Sequence, residues 1–154
     1  RKGHFEGVLD VMNKLTKIIN PQKIFMGEKD FQQLYLVKKQ LERTYKTKVI
    51  PCKTIRDRNN VALSSRNLLL NKSSLVIAAK IYKKLVSIKK NIKNKKKISS
   101  FLNLKKKELK NNYKIKIDYL ELRNINNLKI SSTKQNSRLF IAYYLNNIRL
   151  IDNL

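Results

Sequence analysis

The chain has 154 residues, of which 42% are hydrophobic. It contains neither an apolar run long enough for a transmembrane helix nor a signal-peptide pattern. We therefore expect a cytoplasmic protein with no membrane partner. One cysteine and one histidine exclude an internal disulfide and a cysteine-rich zinc site, and they leave almost no material for a metal centre or a Ser-His-Asp triad. The net charge of +26 would suggest that the protein binds nucleic acid. The excess positive charge, however, is mostly Lys, is spread over most segments and is accompanied by many Asn and Ile residues, which is the composition that AT-rich codons produce. We therefore expect no specific nucleic-acid binding.

The first predicted element is an amphipathic helix that ends before Pro21. Its apolar residues recur at three- and four-residue spacing. They are Phe5, Val8, Leu9, Met12, Leu15, Ile18 and Ile19. Because the chain begins at Arg1 and enters this helix within a few residues, we expect it to be a piece of a longer protein.

A buried strand over residues 23–26 is predicted next, and it stops at Gly27. Gly27 allows the backbone to turn or to approach a ligand, and Asp30 is placed to cap a helix that starts at Phe31. Free amides at that helix start and the charge of Lys29 favour an anionic ligand. The same pattern also fits an ordinary strand-to-helix connection in which Lys29 is a solvated loop charge.

The next elements complete a parallel β-α-β arrangement. Helical spacing continues from Phe31 to about Tyr45, and residues 48–51 form a second short strand. Helix, strand, helix and strand in this order predict the end of a doubly wound parallel sheet. A polar run then breaks the pattern, and we expect a domain boundary there, with one domain over residues 1–52 and another over 53–154.

A second polar cluster, Ala62 to Asn67, follows the predicted boundary, and its residues Leu63 to Asn67 are expected to be a loop or a short strand. It offers two hydroxyl groups, a guanidinium group and an amide in direct succession. Such groups can surround a polyphosphate with hydrogen bonds and a bidentate cation.

Two helices are predicted in the second half of the chain. The first is capped within residues 71–74, and the second runs from Ser99 to about Leu109 with Phe101, Leu102 and Leu104 on its apolar side. The lysine run between them, residues 89–97, contains no aromatic residue that could stack on a base, so we interpret it as a solvated connection.

The last segment changes to the period of a strand. Strands are predicted over 113–122, 138–145 and 148–153, and Asn146-Asn147 is expected to form a tight hairpin between the last two. The predicted fold is therefore α/β: the end of a Rossmann-like parallel sheet, followed by a small α+β domain with helices and an antiparallel three-stranded sheet.

Five segments of the chain match one known family in the same order. These are Arg1-Lys2-Gly3-His4-Phe5 with Gly7-Val8, Gly27 to Gln33, Val61 to Asn67, Asp118 to Arg123, and Arg149 to Asn153. On these segments the chain resembles the pantothenate synthetases (pantoate–beta-alanine ligases), which are similar to class I aminoacyl-tRNA synthetases in their nucleotide-binding fold. The match corresponds to the carboxyl-terminal part of that family.

The resemblance implies an ATP-dependent ligase that condenses pantoate with β-alanine through a pantoyl adenylate. It implies catalytic roles for Lys29 and Arg66, with Lys29 on the phosphates, and pantoate binding by Gln33. Residues implied to contact ATP are Gly27, Glu28, Lys29, Asp30, Ile55, Leu63, Ser64, Ser65 and Arg66, the last four on a mobile loop. No metal ligand is implied in this chain, because the Mg²⁺ contacts and most dimer contacts of the family belong to the amino-terminal half.

Two departures and two alternatives accompany the resemblance. The family has an Asp-Gly pair where this chain has Asn59-Asn60, and it has Pro where this chain has Lys2 and Lys53; Asn can still adopt the left-handed conformation that a turn needs.

The alternatives are another adenylate-forming nucleotidyltransferase and a basic nucleic-acid-binding module. Without the amino-terminal half we expect the chain to be inactive, and we expect the complete protein to be a homodimer.

Overall fold

The computed structural model describes residues 3–92 and 97–154. The chain divides into two compact units, Arg1–Thr54 (unit 1) and Ile55–Leu154 (unit 2). The division falls between residues 54 and 55, whereas the sequence predicted a domain boundary between residues 52 and 53. Both units combine helices with strands, which confirms the α/β class.

Unit 1 is a two-stranded parallel sheet with two helices. Its elements are α1 (His4–Ile19), β1 (Lys23–Gly27), α2 (Phe31–Thr44) and β2 (Lys48–Cys52). Ile24 pairs with Val49 and Phe25 with Ile50 in parallel register. The predicted β-α-β arrangement is therefore confirmed.

The core of unit 1 is small. Its fully buried members are Leu34, Val37, Leu41 and Val49, and Ile24 and Met26 pack against them. Phe25, predicted to be buried, is 66% exposed, and the last apolar residues of α1, from Leu15 to Ile19, are exposed as well. The physical reason is that the strand alternates, so only one of its faces meets the apolar side chains of the helices.

Unit 2 contains two helices and an antiparallel sheet of order β3-β4-β5. Its elements are α3 (Lys72–Asn91), α4 (Ile98–Tyr113), β3 (Lys116–Asn124), β4 (Ser137–Leu145) and β5 (Ile148–Asn153). Asn146 and Asn147 connect β4 to β5 with positive φ angles of 47° and 64°. The predicted three-stranded sheet and its tight hairpin are thus confirmed.

One large apolar cluster holds unit 2 together. Buried residues of α3, among them Ile81 and Leu85, pack with Leu139 and Ile141 of the central strand β4. The predicted cap of α3 is confirmed, because Asn71 Oδ1 accepts a hydrogen bond of 2.8 Å from the Ser74 amide. Neither of these helices, nor any other in the described part of the chain, is long and apolar enough to span a membrane.

Several predicted boundaries in unit 2 are wrong. Tyr113 ends α4 instead of starting a strand, because it contributes to the apolar cluster and the helix stops only where Lys114 turns left-handed, with a φ of 50°. Leu104, placed on the buried side of α4, is 55% exposed. Lys89 and Lys90 belong to α3, and the lysine run beyond them includes residues 93–96, which lie outside the described residues.

Candidate nucleotide site

The predicted site residues fall into two sets, one in each unit. In unit 1, Gly27 ends β1 beside Cys52, the last residue of β2, so both parallel strands finish at the same edge. A short 3-10 helix, Glu28–Asp30, follows directly and leads into α2. The carboxyl edge of parallel strands is where α/β proteins bind ligands, and the sequence places its charged cluster there.

The structure corrects two local predictions about this edge, the use of Gly27 for a turn and the capping of α2 by Asp30. Gly27 has a φ of −68° and a ψ of 135°, an extended conformation that any residue adopts, so the turn does not require glycine. Within the described part of the chain no atom other than those of its neighbours lies within 4 Å of the Cβ that a substitution would add. Asp30 occupies the N-cap position of α2, but its side chain makes no capping hydrogen bond to the amides of the first turn, which the structure describes in full.

Lys29 and Gln33 are both half-buried and lie around the start of α2. Lys29 is held in the 3-10 helix, and Gln33 is in the first turn of α2. Asp30, which lies between them in sequence, is exposed. A cation, a carboxylate and an amide therefore follow one another within five residues after the end of β1.

The set in unit 2 begins in a hairpin that runs from Ile55 to Leu63. The Leu63 amide donates to the Ile55 carbonyl at 3.0 Å, and Arg56 pairs with Ala62 in an antiparallel bridge. Asn60 closes the turn with a φ of 67°, a left-handed conformation that asparagine can adopt. This hairpin fixes the position at which the polar cluster begins.

Leu63 and Ser64 have no regular secondary structure, as predicted for a loop, but a 3-10 helix, Ser65–Leu69, follows where the loop or strand was expected to continue. Ser64 is its N-cap, and its Oγ accepts a hydrogen bond of 3.2 Å from the Arg66 amide. The hydroxyl proton of Ser64 therefore remains available for donation. Arg66 is half-buried, whereas Ser65 and Leu63 are exposed.

Sequence reasoning missed Asp57, and it assigned the Asn67 amide to ligand binding, whereas both side chains support this cluster. Asp57 Oδ1 accepts hydrogen bonds of 2.8 Å from the amides of Asn59 and Val61, which shapes the hairpin turn. Asn67 Nδ2 donates to the Ala62 carbonyl at 3.0 Å, and this hydrogen bond joins the two ends of the segment 62–67. The Asp-x-Asn turn pattern was a local signal that could have identified Asp57.

Chemically, the two sets offer donors and cations suited to phosphate oxygens. Lys29 and Arg66 are cations, Ser64 and Ser65 carry hydroxyl groups, and Gln33 carries an amide. The described residues contain no group of three or more His, Cys, Asp or Glu side chains arranged to hold a metal ion. Cations, hydroxyl groups and amides of this kind are the side chains that bind anions in proteins.

Two parallel strands that are connected through a helix and followed by polar residues are the arrangement of an α/β ligand-binding protein. The chain belongs to the pantoate-beta-alanine ligase family, whose model matches residues 1–154. The pantothenate synthetase of Flavobacterium psychrophilum is 36% identical over 160 residues, which cover 100% of this chain and 56% of that protein. That of Francisella tularensis subsp. mediasiatica is 36% identical over 155 residues, which cover 99% of this chain and 51% of that protein. The chain thus spans about half the length of the curated relatives it matches.

Two solved structures show the same relationship. The crystal structure of the pantothenate synthetase from Thermus thermophilus has a TM-score of 0.89 and 29% identity, and the match covers 100% of this chain and 56% of that one. The pantoate-beta-alanine ligase from Francisella tularensis, complexed with beta-gamma ATP and beta-alanine, has a TM-score of 0.72 and 32% identity, and the match covers 100% of this chain and 51% of that one.

Proposed function

We propose that the complete protein makes pantothenate from pantoate, β-alanine and ATP, and that this chain supplies the carboxyl-terminal part of its active site. The observation that carries the proposal is the family match over the whole chain. The Francisella tularensis relative, 32% identical, was solved with an ATP compound and β-alanine, which supports the same substrates here. We further propose a cytoplasmic homodimer.

In the first step, a carboxylate oxygen of pantoate attacks the α-phosphorus of ATP, the bond to the bridging oxygen breaks, and pyrophosphate leaves. In the second step, the amine of β-alanine attacks the acyl carbon, the acyl–oxygen bond breaks, AMP leaves and the amine loses a proton. The site must therefore neutralise phosphate charge, align a carboxylate and keep water from the mixed anhydride.

Each predicted residue has a role in this scheme. Lys29 stabilises the charge of the phosphates, and Gln33 donates a hydrogen bond to pantoate. Arg66, with the hydroxyl groups of Ser64 and Ser65, stabilises charge that develops as pyrophosphate leaves. The remaining nucleotide contacts are assigned to Gly27, Glu28, Asp30, Ile55 and Leu63.

Mg²⁺ accompanies ATP in reactions of this kind. Since the described residues hold no cluster of three metal-ligating side chains, we expect Mg²⁺ to bind mainly to the phosphates and to residues outside this chain.

The decisive experiment is ATP–pyrophosphate exchange by the complete protein. Exchange should require pantoate, because the carboxylate of pantoate forms the adenylate. Exchange that proceeds equally well without pantoate, or with an unrelated acid, would favour another adenylate-forming nucleotidyltransferase. The 154-residue chain alone should form no pantothenate, and product formation by it would contradict the expected need for the amino-terminal half.

The charge of the chain supports only a weaker, competing activity. An open cleft of about 700 Å³ in unit 2 is lined by Lys106, Lys110, Lys114 and Lys116, with no acidic residue among the lining residues that the structure describes. We expect non-specific binding of nucleic acid that falls steeply with salt. A sequence-selective complex at physiological salt would favour the nucleic-acid alternative.

A further inference from the structure

An ion pair inside unit 2 joins the site hairpin to the last strand of the sheet. Arg56 Nη1 lies 2.7 Å from Asp152 Oδ2, and Arg56 Nη2 lies 2.8 Å from Asp152 Oδ1. Only 16% of the Arg56 side chain and 9% of the Asp152 side chain are exposed. A bidentate, largely buried pair of this kind fixes orientation as well as distance.

The Arg56 guanidinium has three further contacts, one of which is a long hydrogen bond of 3.5 Å from Nη2 to the Asn153 carbonyl. It lies 4.3 Å above the ring of Tyr82 in α3, and its Nη1 donates to the Asn60 carbonyl at 3.1 Å. Burial opposes the charged form, but the hydrogen bond and charge of Asp152 outweigh it and raise the pKa of Arg56. One side chain thus connects the hairpin turn with β5 and α3.

The pair also decides which face of the hairpin is exposed. Arg56 and Ala62 are bridge partners, so their side chains lie on the same face, and that face is drawn toward Asp152. Ile55 and Leu63 occupy the opposite face, where they are 72% and 52% exposed. Leu63 is the residue at which the polar cluster begins.

We propose that Arg56 and Asp152 are positioning residues for the segment Leu63–Arg66. The inference rests on the proposed function, because the segment is the one assigned to ATP. Neither residue is placed against substrate; both act by holding the hairpin from which the segment extends. A hairpin held in place limits the arrangements that the segment must search before it closes on the phosphates, so loosening the hairpin should slow adenylation more than it weakens ATP binding.

The first test measures hydrogen exchange in the 154-residue chain. Arg56→Lys keeps the charge but loses the bidentate geometry, and Asp152→Asn keeps the shape but loses the charge. Each should accelerate exchange of the Val61 and Leu63 amides by about tenfold or more, because both amides are bonded within the hairpin. Exchange at Ile141 in the central strand should change far less.

A second, more exposed ion pair on the same sheet serves as the control. Arg149 Nε lies 2.8 Å from Asp118 Oδ2, and this pair joins β5 to β3 away from the hairpin. Arg149→Lys and Asp118→Asn should leave exchange at Val61 and Leu63 unchanged. Equal acceleration by the control variants would mean that any weakening of the sheet loosens the hairpin, which would overturn the inference.

The second test measures single-turnover adenylation in the complete enzyme. Arg56→Lys and Asp152→Asn should each lower the adenylation rate by about tenfold or more, while the KM for ATP changes less than about threefold. The double variant should be no slower than the slower of the two single variants. The control variants should adenylate normally. Faster hairpin exchange with normal adenylation would show a structural role alone and overturn the positioning role. A wild-type enzyme that lacks pantoate-dependent adenylation would instead contradict the proposed function, while the exchange experiment would still decide whether the pair holds the hairpin.

Discussion

Unit 1 and unit 2 each carry part of the candidate site, but they hold it with very different cores. The fully buried core of unit 1 is Leu34, Val37, Leu41 and Val49, and Phe25 and the end of α1 remain exposed. Unit 2 buries apolar residues from both of its helices and all three strands in one cluster. Parallel strands are usually covered on both faces, so unit 1 has the form of a partial domain, whereas unit 2 has the form of a complete one.

The difference separates two ways of presenting a functional group. The cation of unit 1, Lys29, lies where two strands end, so its placement depends on a sheet with little buried surface. The cation of unit 2, Arg66, lies in a short 3-10 helix that side chains of a well-packed unit support. The stability of the site should therefore be limited by unit 1.

The largest expected effect is on the cores. Leu41→Ala should remove the ordered structure of unit 1, because it truncates one of few buried side chains, whereas Leu85→Ala should lower the free energy of unfolding of unit 2 by about 3 kcal/mol and leave it folded. Hydrogen exchange with increasing denaturant measures both units at once. Leu104→Ala, at an exposed position, is the control. A wild-type chain in which the amides of unit 2 lose their protection from exchange before those of unit 1 would contradict the comparison.

The next effect concerns the two cations in the complete enzyme. Lys29→Ala should weaken ATP binding and slow adenylation together, with a loss of about 3 kcal/mol in transition-state stabilisation. Arg66→Ala should lower the adenylation rate with little change in ATP affinity, because its contact is expected mainly after the segment closes on ATP. Single-turnover measurement of each half-reaction tests both variants.

Exposed residues of the same type provide the controls, Lys39→Ala for the first variant and Arg58→Ala for the second. The second half-reaction, started from supplied pantoyl adenylate, contains no triphosphate and should be much less sensitive to either change. An Arg66→Ala enzyme that adenylates normally but fails only with β-alanine would refute the assigned role.

A smaller effect distinguishes two buried threonines of unit 1, which are both 2% exposed. Thr47 Oγ1 donates to the Pro21 carbonyl at 2.7 Å, whereas Thr16 Oγ1 has no hydrogen-bond partner among the residues that the structure describes. Thr47→Val should lower the free energy of unfolding of unit 1 by about 1–2 kcal/mol, and Thr16→Val should leave it unchanged or raise it. Denaturant unfolding followed by unit 1 amide exchange makes the comparison, and equal losses in both variants would contradict it.

The smallest effect compares helix caps across the units. Asn71→Ala removes the observed cap of α3 and should cost unit 2 about 1 kcal/mol. Asp30→Ala removes a side chain that does not cap α2, so unit 1 should lose less than about 0.5 kcal/mol, through the helix dipole alone. Thermal unfolding of the two variants measures the difference, and a larger loss from Asp30→Ala would mean that its carboxylate stabilises unit 1 in another way.

The sequence predicted most of the architecture, because periodicity reports which residues share a face. The parallel pair β1–β2, the three antiparallel strands and the Asn71 cap were all predictable on that basis. The exposure of Phe25 was not, since a short apolar run looks the same whether one or both faces are covered. The helical end at Tyr113 was missed because its alternation with the following residues also fits a strand.

The candidate site was predictable where its chemistry is local. The strand end at Gly27 and the polar cluster from Leu63 to Arg66 are continuous in sequence, whereas the support of that cluster is not. Arg56 and Asp152 lie 96 positions apart, and no local pattern connects them. Supporting contacts of this kind depend on how the chain folds back on itself, so they appear only in the structure.

Asparagine occupies most of the left-handed backbone positions in the described part of this chain. The chain has only three glycines, and among the described residues five asparagines have positive φ: Asn20, Asn60, Asn136, Asn146 and Asn147. Asn is one of the few residues other than glycine that enters the left-handed region readily. Asparagine therefore supplies, at these five positions, the left-handed backbone that a chain with few glycines needs at its turns.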